Sequence, residues 1–211
     1  MSGASPTQSI IEADHLAAVR GRTRLFAGIG IRVGTREALV VTGPNGSGKT
    51  TLLRILGGLT APAAGNVRFR GEVVAPFDAR RREGVAFAGH LPALKDELSA
   101  SENLAMLIAL AGVRVSAEET SAALERVQLS RQRSLPARVL SQGQRRRIGL
   151  ARLTLINKPL WILDEPATAL DGDGIELLTS LIRRHLDTNG CAIVATHQRL
   201  DIPGAATLSL A

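Results

Sequence analysis

The chain has 211 residues, 45% hydrophobic and 21% charged, the balance of a folded globular protein with one core, which excludes a disordered or fibrous class. Its formal net charge of +7 suits nucleic acid, an acidic membrane surface or an acidic partner, and charge alone does not choose among them. Cys191 is the only cysteine, which excludes an intramolecular disulfide; its apolar neighbours predict a buried strand position, in keeping with a reducing compartment.

Residues 1–8 read as a flexible tail, without the basic start and apolar run of a secretory signal, and residues 9–211 as a single domain. Segments near 29–33 and 67–69 are expected as edge or antiparallel strands. The β-branched run at 38–42 ends in a glycine-rich turn, and TTLLRILGGL after it has helical apolar spacing, so the order is strand, loop, helix. Further apolar runs at 85–88, 160–163 and 192–196, separated by helix-like stretches, predict an α/β fold with a mostly parallel sheet. Between about 98 and 155, three capping-box patterns, Ser99/Glu102, Ser116/Glu119 and Ser141/Gln144, predict an inserted helical lobe, its last helix beginning near Gln144. The apolar run at 104–113 falls short of the ~20 residues that cross a bilayer, so membrane association is expected through partners.

Residues 43–50, GPNGSGKT, fit the pattern G-x-x-x-x-G-K-[ST] in the strand-loop-helix setting that the pattern demands. Gly43, Pro44, Asn45, Gly46, Ser47 and Gly48 would close their backbone N–H groups around phosphates, with Thr51 in the helix start behind them. Lys49 is expected to reach the β- and γ-phosphates of ATP and Thr50 to ligate Mg²⁺. Asp164 and Glu165 follow the apolar run 160–163, at the strand end where open α/β sheets place ligands. Asp164 is expected to hold Mg²⁺ and Glu165 to polarise the attacking water. In isolation the pair reads equally as a strand-ending turn with solvated acids; beside a phosphate loop it reads as catalytic.

Leu140, Ser141, Gln142, Gly143 and Gln144 form LSQGQ, where Ser141 can cap a helix and Gly143 lets backbone approach an anion, making a second phosphate-binding terminus. This segment resembles the LSGGQ signature of the ATP-binding cassette family. The resemblance continues in order through Ala169-Leu170-Asp171 and His197 and covers most of the chain. It implies a phosphate-loop NTPase with a RecA-like core, an antiparallel β region and an inserted helical subdomain. It also implies a nucleotide-binding homodimer, in which the signature of one copy closes over ATP on the loop of the other. His197 would contact the γ-phosphate. Integral membrane transporter subunits would be the partners, with this chain peripheral on the cytoplasmic face of the bacterial inner membrane.

The phrases GHLPALKDELSASENL, LSQGQRRRIGLARL, LWILDEPATALD and ATHQ resemble, within that family, the ATP-binding subunits of bacterial heme exporters used in cytochrome c maturation. Heme or a heme chaperone would then be served indirectly, and the four histidines show no C-x-x-C-H attachment pattern. Two departures from the family stand out. His90 occupies the usual glutamine position, and imidazole is a poor Mg²⁺ ligand, so His90 is expected to act through water or in coupling to the membrane partner; a pH-sensitive coupling contact and a passive loop residue both fit the sequence. The chain has no tyrosine to stack on adenine, and Arg20, which stands in that region, reads either as a stacking guanidinium or as a surface arginine; weak discrimination between ATP and GTP is expected.

Two other readings share these motifs. One is the ATPase of another small exporter, for lipid, polysaccharide or drug. The other is a soluble cassette ATPase on nucleic acid, suggested by Arg145, Arg146 and Arg147. Aromatic content of 2% offers few stacking platforms, so that run is read as a solvated helix face or a partner contact, and no nucleic acid is expected.

Overall fold

The computed structural model of the chain describes residues 9–90 and 92–211; the tail expected at residues 1–8 lies outside the described residues. The chain divides into two compact units. One comprises the described residues up to Phe87 with Lys158–Glu165 and Ile182–Ala211; the other comprises Ala88–Asn157 and Pro166–Leu181.

The first unit is built on two sheets. In one, β1 (Ser9–Arg20) pairs antiparallel with β2 (Thr23–Gly34) and with β4 (Ala64–Phe69), which in turn pairs with β5 (Glu72–Val73), in the order β2-β1-β4-β5. Segments 29–33 and 67–69 therefore lie in antiparallel strands. The other sheet has β3 (Ala38–Thr42), β6 (Val85–Ala88), β7 (Leu160–Asp164), β8 (Cys191–Ala195) and β9 (Ala206–Ser209), in the order β6-β7-β8-β3-β9. The pairs β7/β8, β8/β3 and β3/β9 are parallel. Every residue of β7 and β8 is buried, which is why both read as unbroken apolar runs rather than as alternating ones.

Helix α1 (Lys49–Leu56) follows β3 directly and packs on β7, β8 and β1 through Leu52, Leu53, Ile55 and Leu56, all fully buried. Burial of each such side chain stabilises by about 1.5–3 kcal/mol, and Leu52→Ala would cost about 2–5 kcal/mol, because a close-packed neighbourhood relaxes only partly into the cavity. This packing fixes the start of α1, and hence the loop before it, against the ends of the central strands. The arginine cluster at 80–82 lies in a short helix, α2 (Ala79–Gly84), and its middle member is buried. Arg81 donates from Nη1 to Ile55 O at 2.8 Å and from Nη2 to Val74 O at 2.9 Å, tying α2 to the end of α1.

The second unit carries α3 (Ala100–Leu110), α4 (Ala117–Arg126) and α5 (Gln142–Leu155), with α3 and α4 packed on α5. All three capping boxes form: Ser99, Ser116 and Ser141 each accept the backbone N–H of the residue three further on, and Glu102, Glu119 and Gln144 reach back to the cap N–H. α5 starts at Gln142, two residues before the expected position, because Ser141 is the cap and Gln144 its third helical residue. Fully buried Asn103 satisfies its side chain on Lys95 N, Lys95 O, Leu98 O and Ser99 O, pinning the loop before α3. α6 (Gly172–Asp187) falls in the second unit through Leu181 and in the first from Ile182 onward.

Candidate active site

The loop at 43–50 leaves β3 and enters α1 through Gly48, whose φ of 99° and ψ of 9° are left-handed. A side chain there would be strained and would also meet Phe26 and Leu25 of β2, whose atoms lie 3.0 and 3.1 Å from an added Cβ. No side chain caps α1 and its first turn holds no acid, so the helix start presents bare N–H groups and the positive end of its dipole. Ser47 Oγ is buried and without a hydrogen-bond partner. Lys49 is nearly buried, and its Nζ donates to Gly43 O at 2.8 Å and Pro44 O at 3.1 Å, which curls the loop around the ammonium. An orphaned hydroxyl, an uncapped helix start and a lysine inside one loop are the donor set that phosphate oxygens take.

The strand ends bring the acids to this loop. Thr50 Oγ1 donates to Asp164 Oδ1 at 3.2 Å, across 114 residues of sequence, and Asp164 is buried at the last position of β7. Two hard oxygen donors side by side fit Mg²⁺, which prefers oxygen ligands and retains several waters. Glu165 has φ 50° and donates its backbone N–H to Ala195 O at 2.8 Å. His197 follows β8, the parallel neighbour of β7 whose register pairs Asp164 with Ala195. That register puts His197 Nδ1 2.8 Å from Glu165 Oε2, with the His197 side chain more than half exposed and that of Glu165 mostly buried. Lys49, Thr50, Asp164, Glu165 and His197 thus belong to one unit, as do Thr51 and the rest of the phosphate loop.

Ser141, Gln142, Gly143 and Gln144 lie in the second unit. Gln144 N donates to Ser141 Oγ at 3.1 Å, and Ser141 N donates to Gln144 Oε1 at 3.0 Å. With Gln128, Arg147, Ala169 and Asp171 they line a cavity of about 410 Å³. Gly143 is needed here for room: an added Cβ would lie 2.8 Å from Ala169 O. This contact was invisible in the sequence, since nothing local marks Ala169 as its partner. The reading of Arg145–Arg147 as a solvated face is corrected. Arg145 donates from Nε to Ala137 O at 3.1 Å and pairs with Asp96, Arg146 is buried with Nη1 on Gly89 O at 3.1 Å, and Arg147 is largely buried between Gln128 and Asp171. The three guanidiniums are thus engaged inside the lobe rather than displayed. His90 is exposed after β6, and Arg20 is exposed at the end of β1.

A glycine loop between a parallel strand and a helix, met through Thr50 by a carboxylate at the end of a strand two places away in the same sheet, defines the nucleotide-binding class of phosphate-loop α/β proteins. Residues 26–168 match the family described as ABC transporter, and the chain belongs to that family; it is an ATP-binding, ATP-hydrolysing subunit. It is 43% identical to the cytochrome c biogenesis ATP-binding export protein CcmA of Nitrosospira multiformis, over 93% of this chain and 95% of that one. It is 44% identical to the protein of the same name from Pseudomonas aeruginosa, over 95% of this chain and 99% of that one. Among solved structures it is similar to a putative ABC transporter ATP-binding protein from Pyrococcus furiosus, with a TM-score of 0.83, 26% identity and coverage of 95% and 96%. A dimeric ATP-binding cassette in a post-hydrolysis state with ADP and Pi shares the fold, with a TM-score of 0.79, 24% identity and coverage of 90% and 88%.

Proposed function

We propose that this chain is the motor subunit of the export system of cytochrome c biogenesis, working as a homodimer on integral membrane subunits at the cytoplasmic face of the bacterial inner membrane. The relatives' shared name and their near full-length match support the system; the phrases quoted from the sequence support heme, or a heme chaperone, as what is served. Among the described residues no helix is long and apolar enough to cross a membrane. The arginine run is held inside the lobe, which weighs against the nucleic-acid reading.

The observation that carries the mechanism is the pairing of Glu165 with His197 beside Thr50 and Asp164. Loop N–H groups and Lys49 would bind and orient the triphosphate. Thr50 and Asp164 would hold Mg²⁺, which when bound neutralises charge on the phosphate oxygens. Glu165 would accept a hydrogen bond from the attacking water and polarise it, and His197 would hold the Glu165 carboxylate in place while its exposed ring faces the γ-phosphate. Positioning and charge suffice for this reaction, with no covalent intermediate on the protein. Ser141, Gln142, Gly143 and Gln144 of the second copy would complete the site, so loss of the γ-phosphate removes the contact shared by the two copies and lets the dimer open.

The test is Glu165→Gln. Removing a general base should lower turnover by about 10²–10⁴-fold while ATP binding persists and the ATP-bound dimer accumulates. Rapid hydrolysis by that variant would overturn the assignment. Co-purification with membrane subunits of cytochrome c biogenesis, set against retention on RNA at physiological salt, separates exporter from nucleic-acid ATPase.

A further inference from the structure

Helix α5 grips the segment at 169–171 at two points one helical turn apart. At the first, Gly143 leaves room for the Ala169 carbonyl, which sits 2.8 Å from where a Cβ would lie. At the second, Arg147 donates from Nη1 to Gln128 Oε1 at 2.6 Å and from Nη2 to Asp171 Oδ1 at 3.0 Å. Residues four apart on a helix share one face, so the fork and the gap act on the same strip of chain. The Asp171 oxygen also accepts Gly174 N at 2.9 Å, and Asp171 O accepts Ile175 N at 2.9 Å, which starts α6. The Gly174 N–H first and the Arg147 guanidinium second hold the Asp171 carboxyl below its ordinary range, so the pair stays ionised through neutral pH.

This segment needs an outside restraint. Ala169 has φ 65°, a conformation unfavourable to a non-glycine residue that persists only where its surroundings impose it, and Gln128, the other acceptor of the Arg147 fork, has φ 61°. The Arg147 side chain is only 12% exposed and Asp171 is 73% exposed, so Arg147 is the fixed member and Asp171 the held one. A guanidinium can fork between an amide oxygen and a carboxylate in one plane; a lysine ammonium of the same charge has no such geometry.

We infer that Arg147 is a positioning residue of the Ser141–Gln144 terminus, clamping residues 169–171 onto α5 so that the terminus keeps the geometry in which it meets the nucleotide of a second copy. This rests on the proposal that the terminus acts on a partner's nucleotide. It adds a residue outside the signature, acting through Ala169 and Asp171 rather than by touching phosphate. The phosphate loop lies in the other unit, so nucleotide affinity of a single copy is not its concern.

The experiment uses the full chain in its membrane complex for turnover and the isolated full chain for dimer formation. Misplacement of a positioned group by about 1 Å costs up to 10²-fold in rate, so Arg147→Ala should lower kcat about 10–100-fold with KM for ATP and single-copy nucleotide affinity unchanged. Arg147→Lys should recover only part of that loss, and Arg183→Ala, which removes an exposed pair with Asp201, should have wild-type kinetics. Arg147→Ala and Gly143→Ala should be non-additive in kcat, since both act through the same segment. Wild-type kcat in Arg147→Ala, or multiplicative effects accompanied by a matching fall in Tm, would overturn the inference and leave the composite site standing. If Glu165→Gln with Arg147 intact forms no ATP-bound dimer, the composite site itself fails and the inference with it. If that variant dimerises and Glu165→Gln/Arg147→Ala dimerises more weakly, both are supported.

Discussion

The chain presents two helix starts that we propose meet nucleotide phosphate, and they are built oppositely. At α1 the cap is Gly48 in a left-handed conformation, with no side-chain cap and no acid in the first turn. At α5 the cap is Ser141, which together with Gln144 already satisfies two backbone donors. The glycines differ as well, because Gly48 is needed for its positive φ, whereas Gly143 is needed because a Cβ would strike the Ala169 carbonyl. An uncapped start takes its acceptors from a ligand and orders around it; a self-capped start is preformed and has only to be brought to one. The contrast suits a loop that captures nucleotide and a terminus that reads whether nucleotide is there.

Substitutions at the two starts should therefore have different signatures. Lys49→Ala removes charged hydrogen bonds worth about 1.5–3 kcal/mol each, so nucleotide affinity should fall roughly 10–100-fold or more in a titration of the single copy. Gly143→Ala should leave that affinity unchanged and lower turnover about tenfold, seen as a loss in kcat without a change in KM. If Gly143→Ala weakened single-copy binding as Lys49→Ala does, the contrast between the two starts would be broken.

Ser141→Ala removes a cap that the α1 start never had, and should lower stability by about 1 kcal/mol in denaturant unfolding. A further effect of at most similar size concerns acid and the loop-bearing unit. His185 is stacked on Trp161 with centroids 4.0 Å apart, and burial pushes its imidazole below the ordinary value of 6.5. The folded state thus binds fewer protons than the unfolded one as pH falls past 6.5. Stability is complete above that pH and is lost below it, by no more than about 1.4 kcal/mol per pH unit. Denaturant midpoints of the wild type between pH 7 and 5.5 should show the decline, and His185→Asn should flatten it.

Much of the α1 start was legible in the sequence, because strand, loop and helix are consecutive and each has a local signature. The capping boxes were legible for the same reason, as was the buried run that ends at Asp164. What escaped was whatever depends on distant partners. β1 carries Glu12, Asp14 and His15 and four register shifts in its pairing with β2, so it shows no clean alternation of period two. β9 is four residues long and mostly exposed. Arg145–Arg147 resembled a solvated run since their acceptors lie 8 to 57 residues away. The Glu165/His197 pair follows from β7 lying beside β8, an adjacency that neither strand's own residues specify.

The central claim is that the open start of one copy and the capped start of another form one site. Mixing Lys49→Ala chains with Gly143→Ala chains in the assembled complex tests it most directly. In a mixed dimer one of the two composite sites carries both lesions and the other carries neither. ATP turnover well above that of either variant alone is the predicted result; turnover no higher than the sum of the separate variants would contradict it.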